Sequence, residues 1–346
     1  MTVASLSHSV SSLDVAAIRS DFPIFKQTVY GKPLIYLDNG ATTHKPQCVI
    51  DRITNFYSNE YGTVRRGVYA HSMAATEAFN HTRSVVAQFI NAPSSEDIIF
   101  VRGTTEAINL VAHSYGLPFI GAGDAVLITE MEHHANTVPW QLLCQRTGAE
   151  LRVIPLTDSG ELDLTTLDTL LNEQVKLLAI TQLANSLGTI NPVKDLIDKA
   201  HAVGAVVLVD GAQSAPHMAI DVQALDCDFY CFSGHKVYGP TGVGVLYAKR
   251  ALQEGMIPYQ SGGDMIAVVD TVSGTTFADP PGKFEAGTPA IASVVALAPA
   301  LEYLSNLGLD AIAAHEADLL AYATEQLTAI EGLRIIGSGP PQSQPH

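Results

Sequence analysis

The chain has 346 residues, of which 47% are hydrophobic and 16% charged, and its formal net charge is −16. A length of this order accommodates about two domains, and the charged share falls below the roughly 25% of ordinary soluble proteins, so a large core supplemented by a subunit interface is expected. An acidic chain without a concentrated basic patch repels phosphate backbones and anionic lipid, which disfavours nucleic acid and membrane surfaces as partners.

The N-terminal MTVASLSHSVSSL has no Lys or Arg and no long apolar stretch, so it reads as neither a signal peptide nor an Arg-rich transit peptide. Between about residues 70 and 250, short apolar runs alternate with amphipathic stretches. DIIFV (97–101), DAVLIT (124–129), KLLAIT (176–181), AVVLVD (205–210) and VGVLYAK (243–249) have the two-sided apolarity of strands buried on both faces of a parallel sheet. Ala78, Val85, Val86 and Phe89 recur at helical spacing, as do Val193, Leu196, Ile197 and Ala200 ahead of Gly204. Alternation of this kind predicts a doubly wound α/β domain. The stretch AIASVVALAPAL from Ala290 is shorter than the ~18 residues of a membrane span.

A last amphipathic segment places Ile312, Leu319, Leu320, Ala323, Leu327 and Ile330 on one face, and a strand-like Leu333–Ile336 follows before SGPPQSQPH. One helix and one strand cannot bury each other's apolar faces, so the chain is expected to stop inside a second, smaller domain. Cys48, Cys144, Cys227 and Cys231 are too few for a disulfide scaffold and read as reduced thiols of a cytoplasmic protein, with Cys227 and Cys231 packed in a strand.

Four segments carry chemistry. Gly103-Thr104-Thr105-Glu106 opens a helix after a strand, offering backbone N–H groups and two hydroxyls to an anion, or forming a capping box. Glu130-Met131-Glu132-His133-His134 follows another strand; His133 there suits stacking on a planar group or proton transfer, while adjacent side chains diverge too far for a metal site. Asp210 ends an apolar strand at the sheet edge where open α/β folds bind ligands, a place equally suited to helix capping. Lys236, 26 positions later, lies between Ser233-Gly234-His235 and a Gly-Pro-Thr-Gly turn. It is either a surface lysine or one kept neutral enough to form a Schiff base. An aldehyde cofactor needs such a lysine, and its pyridine nitrogen such an acid. No GxSxG elbow, P-loop or dinucleotide fingerprint is present.

Together with Tyr36–Thr43, RRGVYAHS (65–72) and Gly287-Thr288-Pro289, the motifs EMEHHAN, LVDGAQ and FSGHKVYGPTG resemble the class V branch of fold-type I pyridoxal-phosphate enzymes, and within it the SUF-type (group II) cysteine desulfurases. The resemblance implies a fold-type I α/β transferase: an N-terminal segment (1–34) joining the small domain, a large, mostly parallel-sheet cofactor domain (35–295), and the start of a smaller α+β domain (296–346), incomplete at its C-terminus. It implies that Lys236 holds pyridoxal 5'-phosphate as an internal aldimine and shuttles protons, that Asp210 pairs with the pyridine nitrogen, and that His133 stacks on the ring and protonates departing groups. Gln213 would bond the phenolic oxygen, and Thr104, Thr105, Ser233 and His235 the phosphate, with Thr288 reaching in from the partner of a homodimer. Asn185 and Arg66 would lie near the substrate, and no metal is implied. The implied reaction converts L-cysteine, or L-selenocysteine, to L-alanine, and passes sulfur as a persulfide to an acceptor protein of iron–sulfur cluster assembly in the cytoplasm. The family's nucleophilic cysteine stands in an Arg-x-Gly-His-His-Cys context that no cysteine here occupies. It is expected after His346, so the chain as it stands is expected to be nearly inactive. Selenocysteine lyase, cystine or cysteine C–S lyase, kynureninase and a catalytically inert cofactor-binding fragment are the alternatives within this fold.

Overall fold

The computed structural model describes residues 13–337. Its centre is a seven-stranded sheet made of β1 (Ile98–Val101), β2 (Ala125–Thr129), β3 (Glu150–Ile154), β4 (Val175–Thr181), β5 (Val206–Asp210), β6 (Phe229–Ser233) and β7 (Gly244–Ala248). The spatial order is β1-β7-β6-β5-β4-β2-β3, and only β7 runs against its neighbours. The five strands expected from apolar runs all form. The sheet also holds β3, an edge strand with exposed residues, and β6, whose Phe229 and Cys231 face one side while Tyr230 and Phe232 face the other.

Strict alternation divides the strands between two cores. Ile98, Phe100, Leu127, Val207 and Val209 point to one face, while Ile99, Val101, Val126, Ile128 and Leu208 point to the other. Helices α1 (Gln47–Asn55), α2 (Ala70–Phe89) and α5 (Val193–Ala202) lie on the first side, with Phe79, Val86, Leu196 and Ile197 in its core. Helices α3 (Thr104–Val111) and α4 (Val138–Thr147) cover the second with Ile108, Leu110, Trp140 and Leu143. This is the three-layer arrangement that a parallel sheet needs to keep both faces dry.

A buried ion cluster ties α2 to the far edge. Glu285 accepts from Arg83 at 2.8 and 2.9 Å, from Arg65, and from the Phe100 N–H at 2.8 Å. Burial alone would raise the Glu285 carboxyl, but Arg83 and Arg65 outweigh it and hold the group below the ordinary glutamate range. The stability this confers is therefore complete above that range and is lost as pH falls through the depressed value. Arg83→Met, which strands part of a buried charge, is expected to cost about 3 kcal/mol in urea unfolding at pH 7; a loss below about 0.5 kcal/mol would show the cluster to be energetically idle.

Helix α6 (Leu297–Leu307) contributes Leu297, Leu301 and Leu304 to the first core, so the segment following residue 295 begins packed on the large layer. Helix α7 (Leu309–Thr328) matches the last amphipathic segment, yet only Ala311 on it is fully buried, and Leu319, Leu320 and Tyr322 stay exposed. The strand expected at Leu333–Ile336 does not form; among the described residues no neighbouring strand takes up its N–H and C=O groups. Cys227 is likewise outside any strand, buried in the turn before β6. The N-terminal MTVASLSHSVSS and the SGPPQSQPH tail lie outside the described residues. Among those described, no single helix is long and apolar enough to cross a membrane.

Candidate active site

The parallel register aligns the carboxyl ends of β4, β5 and β6, pairing Thr181 with Asp210 and Asp210 with Cys231. The reversed β7 then places Gly244 between Ser233 and Val101, which carries the start of α3 to the same edge. A Cβ on Gly244 would strike the Gly103 backbone, so only glycine lets β7 pass under the helix start. Above this edge opens a cleft of about 660 Å³, bounded by Thr104, Thr105, His133, Asn185, Asp210, Gln213, Ser233, His235 and Lys236. Nine of the eleven residues singled out by sequence thus come together, from segments spread over more than a hundred positions.

Several are fixed by hydrogen bonds. Thr104 N–H donates to Ser233 Oγ at 2.9 Å, and the two hydroxyls lie 2.9 Å apart, which gathers hydroxyl groups beside the α3 N-terminus in the cleft. Such a grouping suits an anion. Asp210 Oδ1 accepts the Ala212 N–H at 2.9 Å, and its second oxygen takes no hydrogen bond from a described residue. The turn after Asp210 needs Gly211, since a Cβ there would overlap the Tyr230 ring. His133 Nδ1 accepts the Ala135 N–H at 3.1 Å, which leaves the proton of the neutral ring on Nε2. Gln213 donates one amide hydrogen to the Gly40 carbonyl at 2.7 Å and keeps the other.

The electrostatics follow from burial. Burial raises the Asp210 carboxyl more than the Ala212 N–H, Lys236 and His133 lower it. Burial also lowers the Lys236 amine, with Asp210 opposing only in part. Desolvation wins at both ends of the pair, so the cleft holds a reactive, readily neutral amine and an acid awaiting a cation. His235 is lowered by burial and by the two neighbouring ammonium groups of Lys236 and Lys45.

Two of the eleven lie elsewhere. Arg66 is largely exposed and pairs with Asp264 at 2.6 Å. Thr288 is exposed beside a second cavity with Arg102, Glu106 and Tyr259. The sequence reading gave no individual role to Leu37, Asp38, Gly40 and Ala41, which form the lip of the cleft. It also missed Glu132, buried beneath His133, which accepts from Thr129 Oγ1 at 2.7 Å, Thr181 N at 2.9 Å and Asn136 Nδ2 at 2.6 Å. Burial pushes that carboxyl up to about 8 despite three donors. An acid directly before the expected histidine was the available signal. None of the four cysteines borders the cleft, and burial raises every one of their thiols.

Residues 35–346 match the family model for class-V aminotransferases. The chain belongs to the class-V aminotransferase family. A cysteine desulfurase of Dickeya dadantii is 54% identical to this family member over 96% of the chain and 81% of the relative, and one of Yersinia pestis is 53% identical over 93% and 80%. Among solved structures, the Escherichia coli cysteine desulfurase CsdA, in its S-sulfonic acid form, superposes with a TM-score of 0.85 at 39% identity, covering 93% of this chain and 79% of that one. A C-DES mutant with glycine covalently linked to its PLP cofactor shares the fold at a TM-score of 0.79 and 23% identity, covering 93% of this chain and 83% of that one. This class-V member is a fold-type I enzyme whose cofactor is pyridoxal phosphate. Its residues fit that group: a hydroxyl-lined helix start for the phosphate, a buried acid with one unbonded oxygen for the ring nitrogen, and a partly desolvated lysine in the same cleft.

Proposed function

We propose that the protein is a SUF-type desulfurase acting on L-cysteine, with L-selenocysteine the chemically equivalent substrate. The observation that carries this reading is the convergence of Lys236, Asp210 and His133 on one cleft in a chain 54% identical to a cysteine desulfurase. Bound there, pyridoxal phosphate supplies an electron sink for the substrate's Cα electrons. Lys236 Nζ, kept basic but readily neutral by burial, takes the Cα proton. Asp210 would hold the positive ring nitrogen, Thr104, Thr105, Ser233 and His235 would hold the phosphate, and His133 would give a proton from Nε2. Asn185 lies at the cleft wall where a substrate carboxylate would sit.

The overall reaction breaks the Cβ–S bond of L-cysteine, moves that sulfur onto a thiol as a persulfide, and leaves L-alanine after the thiol proton and the Cα proton are returned to carbon. The persulfide would then pass to an acceptor protein of iron–sulfur cluster assembly. We read the protein as a cytoplasmic homodimer, a reading supported by its unpaired cysteines, by exposed Val68 and Val272, and by Thr288 standing outside its own cleft. Because no cysteine of this chain borders the cleft, persulfide formation is expected to be slow. The same observation favours one second reading, a lyase that releases sulfide and pyruvate.

Product analysis separates them. The chain loaded with pyridoxal phosphate and given L-cysteine and excess dithiothreitol is expected to form alanine and sulfide in equal amounts, far more slowly than the Dickeya relative assayed alongside. Pyruvate in place of alanine would replace the desulfurase reading with the lyase, and neither product would leave an inert cofactor-binding protein.

A further inference from the structure

We propose that Lys45 is a positioning residue for Lys236: with Thr43, its ammonium clamps the carbonyl of the His235–Lys236 peptide bond and fixes the turn from which the cofactor-binding amine projects. Lys45 Nζ donates to the His235 carbonyl at 3.1 Å and to the Thr43 carbonyl at 2.6 Å. The same His235 oxygen accepts from the Thr43 N–H at 3.1 Å and from Thr43 Oγ1 at 2.9 Å. Thr43 Oγ1 in turn accepts the Tyr238 N–H at 3.0 Å, so the segment 43–45 grips both sides of Lys236 in sequence. These contacts span about 190 positions of chain.

The opposite side of the turn is fixed by backbone alone. Gly234 N–H donates to the Val243 carbonyl at 2.9 Å, Gly239 N–H donates to the Gly234 carbonyl at 2.9 Å, and a Cβ on Gly234 would press on Val243 and the Pro240 carbonyl. Only the face toward residues 42–45 depends on side chains, with Thr42 Oγ1 also donating to the His235 carbonyl at 3.4 Å and lying 3.1 Å from the His235 ring Nδ1. Burial lowers the Lys45 amine to about 8, and no carboxylate among the described residues shifts it. A half-buried ammonium without a counter-ion is costly, and here it is satisfied by two carbonyls through charge-assisted bonds. Leu37, Asp38, Gly40 and Ala41 border the cleft, and the Gln213–Gly40 bond at 2.7 Å ties down the C-terminal part of that lip just ahead of the Lys45 clamp.

This inference rests on Lys236 being the cofactor lysine, and its test separates the two claims. Cofactor-free protein is mixed with pyridoxal phosphate, trapped with borohydride at timed intervals, and the labelled peptide is identified by mass. The pH midpoint of the visible band of the loaded protein is measured in parallel. Lys45→Met is expected to slow labelling of Lys236 by about tenfold, the loss of one charge-assisted bond, and to move the band's pH midpoint. Lys45→Arg, which keeps the donors, is expected to return both toward the parent values. If Lys45→Met fails to fold, Lys45→Gln retains one N–H donor and is expected to fall between parent and Met. Parent-like labelling rate and midpoint in the folded Met or Gln variant would overturn the clamp alone. A parent label on any lysine other than Lys236 would overturn the cofactor assignment and the clamp with it.

Discussion

Replacing Lys236 with alanine is expected to abolish covalent capture of pyridoxal phosphate and to slow exchange of the Cα proton of L-alanine with solvent deuterium by about 10³-fold. The exchange reaction isolates the step that this cleft is built for, because it requires the cofactor and a base but no thiol. Lys236 suits that task because burial lowers its amine while Asp210 keeps part of the positive charge in place. It projects from a turn fixed on one side by the β6–β7 hairpin and on the other by residues 43–45. Lys45, whose amine bonds the carbonyl just ahead of Lys236, donates both its bonds to carbonyls and does not border the cleft, so it is not positioned to substitute. A borohydride-stable adduct in Lys236→Ala, or exchange within threefold of the parent, would show that another group carries the chemistry.

Asp210→Asn is expected to reduce the same exchange rate by about 10²- to 10³-fold, the usual effect of deleting one preorganised electrostatic partner, with little change in thermal stability. Asparagine preserves the shape and, through Oδ1, the bond from the Ala212 N–H at 2.9 Å. What disappears is the negative charge available to a protonated ring nitrogen. The pH dependence gives a second test with a definite sign. Burial raises the Asp210 carboxyl in the cofactor-free protein and the ring cation of the bound cofactor would oppose that, so in the parent the ionised form, and with it the exchange rate, is lost as pH falls through the value that balance sets. In Asp210→Asn this acid limb should vanish. An Asn variant with the parent's rate and the parent's acid limb would remove Asp210 from the mechanism.

Much of this was legible before any coordinates. Runs such as Ile98–Val101 and Val206–Asp210 advertise burial on both faces, and a chemistry-bearing residue directly after such a run lands at the carboxyl edge of the sheet. The same logic was blind to β3, where Glu150 is exposed and Val153 partly so, because an edge strand mixes its periods. It could not show that β7 is reversed, since burial on both faces looks the same in either direction. At Leu333–Ile336 the composition suggested a strand, but a strand exists only by pairing, and no partner is present among the described residues. Lys45 and Glu132 escaped for a related reason. Their meaning lies in bonds to Thr43, His235, Thr129 and Thr181, and spacing along the chain does not encode those contacts.

The single reversed strand governs how the enzyme can evolve. A parallel connection needs a crossover of a dozen or more residues, a span that accepts insertions and drifts in position. Joining β6 to β7 takes only residues 234–243, and Lys236 sits within them, three positions beyond Ser233. On the proposed reading, the cofactor's lysine and one wall of its anion pocket therefore ride on a short direct link between neighbouring strands. Change in such a scaffold is expected in the lip and the crossovers, while this hairpin keeps its length.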